Sequence, residues 1–344
     1  MLNQKIKQTM TELISSEENV KTEPASSSDF RVFGDTTLFT HFINLTNSTV
    51  LECIDQYVNV RSKASTKSAE RRYSQVKMHL SNIQKENNIV LYPIVIGDVF
   101  WKQFHQYLLE KNLATSTINN ICCRISAVLK WSAKYGAKIS PTLEDCYMPG
   151  SDKKPKIALT QDEVSRITYF DINTLNVRPQ LKKTLERVRD QFVISCALGQ
   201  RISDIERINK TMFHNNVLTI TQQKTGNKAV IDLKKIAPYP QIIEKLLAKY
   251  DYTNPYKGGT ENYNKYLHML FKYAGFDDEI VYEYKQNGEM KTVTYKLYQL
   301  ISSHTARRTM ITNAIKRGMH NEEVRRASGH KSETAFGRYV CWND

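Results

Sequence analysis

Three short polar strings, far apart in the chain, constrain the fold more than any other feature of this sequence. They are Gly199-Gln-Arg201-Ile-Ser-Asp204, His304-Thr-Ala-Arg307-Arg-Thr, and Gly329-His330-Lys331 followed by Tyr339. Each is ordinary alone. Arg-Ile-Ser-Asp reads as a helix start, His304 and Arg307 share one helix face, Gly329 reads as a helix C-cap, and Tyr339 is one of 19 tyrosines. Together they hold the residue types that suit a phosphodiester. Displacement at phosphorus piles negative charge on the non-bridging oxygens, and preorganised donors aimed there are the largest catalytic help. Arginine grips such oxygens through two parallel hydrogen bonds, and tyrosine can serve as a covalent nucleophile. A fold that uses these residues together must bring three distant segments to one point.

In chain order, Arg201, a hairpin lysine, His304-x-x-Arg307, His330 and Tyr339 resemble the pocket of the tyrosine recombinases, the phage integrase family of phages and conjugative or integrative elements. The lysine falls in Val217–Leu233, which reads as a β-hairpin with Gly226-Asn227 at its turn. Lys224 is the better candidate and Lys228, on the returning strand, the alternative. The resemblance implies that Arg201, Arg307 and His330 hold the scissile phosphate while Tyr339 attacks it, leaving a 3′-phosphotyrosine and a free 5′-hydroxyl. It implies Lys224 as general acid, His304 in proton transfer or phosphate binding, and Asp204 as a buttress of Arg201. Neither a cofactor nor a metal is expected. The implied partners are double-stranded recombination sites, bound by a homotetramer that passes through a Holliday junction during integration or excision, with DNA-bending or excision factors as further candidates. Two rivals stand beside this reading: a type IB topoisomerase-like enzyme and a non-catalytic architectural DNA-binding protein.

The chain has 344 residues, more than one hydrophobic core usually serves, so two domains are expected. The expected fold class is mostly α in two domains: a helical, SAM-like core-binding domain, and an α+β catalytic domain with small β-hairpins. The boundaries read as a polar tail over 1–35, a helical DNA-binding domain over 36–147, a linker over 148–158 and a catalytic domain over 159–344. The linker mixes Pro149, Gly150 and Pro155 with lysines, which breaks helices and suits a tether. A formal charge of +14 fits a DNA partner, since basic groups that neutralise phosphates release counterions. No apolar run is long enough for a membrane span, and the N-terminus lacks a signal-peptide core. The six cysteines show no metal-ligand spacing and read as reduced and largely buried. A DNA-associated protein of the prokaryotic cytoplasm is therefore expected.

Helical patterns run near Val50–Val60, Ser68–Glu86, Gly97–Lys111 and Ser116–Tyr135, the last with Ala127, Val128, Leu129, Trp131 and Ala133 on its apolar face. The second and fourth resemble the family's core-binding domain. Their basic residues Arg71, Arg72, Lys77, Lys85, Arg124, Lys130 and Lys134, with Lys153 and Lys154 in the linker, are candidate phosphate contacts that position a protein rather than read bases. Thr160 and Glu163 form a capping-box phrase opening the second domain. Two features depart from the minimal family pattern. A second hairpin, Val281–Tyr295 with Asn287-Gly288 at its turn, precedes His304, and only a short segment containing Trp342, a candidate anchor, follows Tyr339.

Overall fold

The computed structural model describes residues 43–62, 67–146, 154–286 and 289–341. The N-terminal tail, Lys153, the Asn287-Gly288 turn and Trp342 lie outside the described residues. The chain divides into two compact units, one comprising Met1–Asp152 and Lys285–Glu289 and the other Lys153–Tyr284 and Met290–Asp344.

In the first unit four helices share one core: α1 (Val50–Ser62), α2 (Lys67–Asn87), α3 (Asp98–Glu110) and α4 (Thr115–Ala133). Trp101, Phe104 and Leu108 on α3 and Ile118, Ile121, Ile125, Val128 and Leu129 on α4 are spaced three or four apart, which sets them on one buried stripe of each helix. Ala127 departs from the expected apolar face and is exposed, because it sits away from that stripe. Cys122 is buried while its neighbour Cys123 is exposed, since successive helical residues point in different directions. The Trp101 indole donates to the Leu143 carbonyl at 3.1 Å, fixing the segment after α4. Asn88 and Asn112, at φ 51° and 57°, end α2 and α3 in left-handed conformation, which asparagine adopts more readily than most residues.

The second unit is built on α6 (Pro179–Leu198), which follows the short α5 (Gln161–Thr168). Thr160 caps α5: its hydroxyl accepts from the Glu163 amide at 3.2 Å, and the Glu163 carboxylate accepts from the Thr160 amide at 2.6 Å. Proline at the first position of α6 costs no hydrogen bond there, and Gly199 ends the helix at φ 61°. Every residue from Asp190 to Gln200 is buried, so the C-terminal half of α6 is surrounded rather than amphipathic. Around it lie α5, α9 (Pro240–Lys249), α10 (Thr260–Tyr273) and α12 (Ser303–Lys316).

The one-turn α7 (Ile202–Ile205) leads into an antiparallel sheet of β1 (Phe213–His214), β2 (Val217–Thr221) and β3 (Lys228–Asp232). Leu218 pairs with Ile231 and Ile220 with Ala229, all four buried, so one face of the hairpin joins the core. The short α8 (Leu233–Ile236) follows β3. A second hairpin, β4 (Glu279–Gln286) and β5 (Glu289–Lys296), enters α11 (Leu297–Leu300) and then α12. The chain closes with α13 (Asn321–Ser328), which packs on β3, and α14 (Glu333–Gly337). The fold is mostly helical with two small sheets.

Candidate active site

The three distant strings converge at the ends of helices in the second unit. Gly199 and Arg201 sit where α6 stops, Arg307 rises from the first turns of α12, His330 follows the left-handed cap Gly329 (φ 69°) after α13, and Tyr339 follows α14. Arg307 is completely buried. Its Nη1 donates to the Gly199 carbonyl at 2.8 Å and its Nη2 to His330 Nε2 at 2.9 Å, while its buried Nε has no protein partner. The Tyr339 ring lies over this guanidinium at 5.2 Å and against His330 at 4.8 Å, with His304 at 6.4 Å on another side.

Hydrogen-bond polarity assigns the His330 tautomer. The Ser328 hydroxyl donates to the Arg325 carbonyl at 3.1 Å, so its oxygen accepts from His330 Nδ1 at 2.8 Å. Nδ1 therefore carries the proton, and Nε2 offers a lone pair to Arg307, which can only donate. Burial, reinforced by the charges of Arg307 and Arg201, pushes the His330 pKa down to about 3. His330 thus meets Arg307 through Nε2 and Ser328 through Nδ1. Burial and the neighbouring Arg308, Arg307, Arg201 and Lys224 likewise lower the pKa of His304, whose edge remains open to solvent. Arg307 itself is lowered to about 10 by burial and by Arg201, and still carries its charge at neutral pH.

Lys224 stands exposed at the tip of the loop between β2 and β3, close enough for its charge to depress His304. Lys228, the alternative, lies on β3 paired with Thr221. The role read for Asp204 needs correction. Its side chain is wholly buried, and Oδ1 accepts from Arg207 Nη2 at 2.9 Å and from the Gln223 amide at 2.8 Å. The chain turns so that Asp204 faces the base of the Lys224 loop, so it supports the lysine's backbone and not the Arg201 side chain.

Arg201 Nη1 instead donates to Gln222 Oε1 at 2.7 Å. Neither Gln222 nor Gln200 stood out in the sequence. A glutamine carries no charge and no periodicity to mark it, and these two acquire meaning only from partners many residues away.

The candidate DNA contacts of the first unit are scattered along α2 and α4 and just beyond. Arg71, Arg72, Lys85, Lys130 and Lys134 are exposed and Arg124 half-buried. Lys77 pairs with Asp55 at 2.5 Å and Lys130 with Glu144 at 2.6 Å. Surface pairs of this kind contribute little to stability. Lys154 stacks on the Tyr295 ring at 5.9 Å in the second unit. Among the described residues no helix is long and apolar enough to cross a membrane.

Comparison with known proteins adds three observations. Residues 49–139 match the family described as the phage integrase SAM-like domain. Curated proteins give no sequence match to the chain. Among solved structures, the fold is similar to the Tn1549 transposon integrase in complex with transposon right end DNA, at 14% identity and a TM-score of 0.57, over 86% of this chain and 96% of that one. A lambda integrase dimer bound to a COC′ core site matches at 14% identity and TM-score 0.58, over 86% and 98%. A lambda integrase tetramer bound to a Holliday junction matches at 13% identity and TM-score 0.58, over 98% and 88%.

Proposed function

From a chain that carries a phage-integrase SAM-like domain and has the fold of the lambda and Tn1549 integrases, we propose a site-specific DNA recombinase that cuts and rejoins strands through Tyr339. The observation that carries this reading is the packing of the Tyr339 ring over the Arg307 guanidinium, at 5.2 Å, and against His330, at 4.8 Å, at the convergence of the three strings. A phosphate arriving there meets a cation already desolvated, whose field is stronger than it would be in water.

The chemistry then balances as follows. Tyr339 Oη attacks phosphorus, the bond from phosphorus to the 5′-oxygen breaks, and a 3′-phosphotyrosine remains. The phenol proton passes to His304, whose ring lies 6.4 Å from that of Tyr339 and is exposed enough to hand the proton on to water. Lys224 gives a proton to the departing 5′-oxygen. The 5′-hydroxyl of a second duplex reverses the step on the phosphotyrosine, so bond energy is conserved and no nucleotide is consumed. By analogy with the lambda tetramer on a Holliday junction, four copies exchange strands pairwise, and integration or excision of a mobile element is the process served. The first unit supports recombination over simple relaxation, because a SAM-like domain gives the chain a second grip on the duplex.

The test is incubation with nicked, labelled suicide substrates drawn from the DNA flanking the gene. A covalent protein–DNA band is expected with the unmodified chain and none with Tyr339→Phe. Specific binding without a covalent band would move the reading to an architectural DNA-binding protein. Relaxation of supercoils without junction resolution would move it to a topoisomerase.

A further inference from the structure

We propose that Gln222 is a positioning residue for strand cleavage: its amide sets the orientation of the Arg201 guanidinium and locks it to the loop that carries Lys224. The proposal rests on the recombinase reading and adds to it a residue that acts through Arg201 rather than on the DNA.

Gln222 is almost wholly buried, with 1% of its surface exposed, yet every hydrogen-bonding valence of its side chain is filled. Oε1 accepts from Arg201 Nη1 at 2.7 Å and from Thr225 Oγ1 at 3.0 Å. Nε2 donates to Gln200 Oε1 at 2.9 Å and to the Ser328 carbonyl at 2.8 Å. The partners dictate which way the amide faces. Arg201 can only donate and the Ser328 carbonyl can only accept, so a flipped amide would face like with like on both sides. Glutamate has the length but no donors for Gln200 and Ser328, and asparagine has the chemistry but not the reach.

Three segments meet on this one side chain. The first is the Arg201 turn after α6, with Gln200 donating onward to the Ala327 carbonyl at 2.8 Å. The second is the loop tip, where the Gln222 amide donates to the Asn227 carbonyl at 2.8 Å and the Gly226 amide returns to the Gln222 carbonyl at 2.9 Å, enclosing Lys224. The third is the turn into His330, where Asn227 Nδ2 donates to the Gly329 carbonyl at 3.0 Å. Gly329 itself leaves no room for a larger residue: a Cβ there would lie 2.5 Å from Gln222 Nε2. Arg201 is only half-buried, so without this bond its long side chain has rotamers to explore, and a bidentate grip on phosphate is lost when the fork is misaimed.

The experiment uses the full chain on nicked substrates and normalises covalent-complex formation to DNA-bound protein. Gln222→Met keeps length and volume but removes all four hydrogen bonds. The expected result is a fall of about tenfold or more in cleavage rate, as for loss of a charge-assisted hydrogen bond, with DNA affinity within about twofold, since base and backbone contacts elsewhere are untouched. A second substrate carries a neutral methylphosphonate at the scissile position, where the arginine clamp has little charge left to hold. There the gap between Gln222→Met and the unmodified chain is expected to close, and Gln222→Met on an Arg201→Ala background is expected to add nothing. A penalty that persists on the neutral substrate, or that adds fully to Arg201→Ala, would overturn the proposal, as would a cleavage rate matching the unmodified chain. If Gln222→Met does not fold, Thr225→Val at the exposed tip removes one of the bonds that aim Oε1 and is read in the same way. Absence of any covalent band from the unmodified chain is a different failure: it removes the recombinase reading, and this proposal with it.

Discussion

Gly199 offers a test of how the helix ends hold the site. It sits at φ 61°, and a Cβ built there would lie 1.9 Å from Cε of Met310, which is itself 3% exposed. Gly318, after α12, has a similar φ of 83° but nothing within 4 Å of its Cβ position. Both Gly→Ala changes impose the left-handed backbone penalty of about 1 kcal/mol. Only Gly199→Ala must also displace a buried methionine, which adds about 1 to 3 kcal/mol of overpacking. The expected loss is therefore about 3 kcal/mol for Gly199→Ala against about 1 kcal/mol for Gly318→Ala. Because the chain has two units, a single unfolding midpoint would mix them. The measurement is native-state hydrogen exchange of the α6 amides, which reads the opening free energy of the second unit. Equal losses in the two variants would refute the steric argument. A further consequence is kinetic: the Gly199 carbonyl accepts from Arg307, so Gly199→Ala should slow covalent-complex formation while Gly318→Ala leaves it unchanged.

Two other outcomes follow from the site's electrostatics. The folded-state pKa of His330 is depressed to about 3 from an unfolded value near 6.5, so below about pH 6.5 the unfolded chain takes up a proton that the folded chain refuses. Stability is full above pH 6.5 and falls as pH drops toward 3, by about 2 kcal/mol at pH 5 from this group; a His330→Gln variant should show a flatter acid limb, and parallel curves for the two proteins would remove the assignment. Asp204→Ala should cost about 1 to 3 kcal/mol by leaving the Gln223 amide and Arg207 without their carboxylate, with exchange protection lost first at the 222–227 loop. Loss centred on the Arg201 turn instead would restore the buttress role that the structure argues against.

The features legible in the sequence are local. The capping box at Thr160 and the left-handed cap Gly329 depend on backbone groups within a few residues, so their signals are written in neighbouring letters. The stripes of α3 and α4 and the β2–β3 alternation are legible for the same reason, since periodicity sets which positions share a face. Charge and chemistry also marked Arg201, His304, Arg307, His330 and Tyr339 as residue types suited to a phosphate, and their order resembles the pocket of the tyrosine recombinases. Side-chain partnerships, by contrast, come from long-range packing. Asp204 serves Arg207 and Gln223, His330 meets Arg307, and Gln222 joins Arg201 to the Lys224 loop and to the His330 turn. Hydrogen-bond direction and burial in these cases depend on groups brought together from segments far apart in the chain, and a buried amide looks like any other glutamine until the residues that satisfy it are in place.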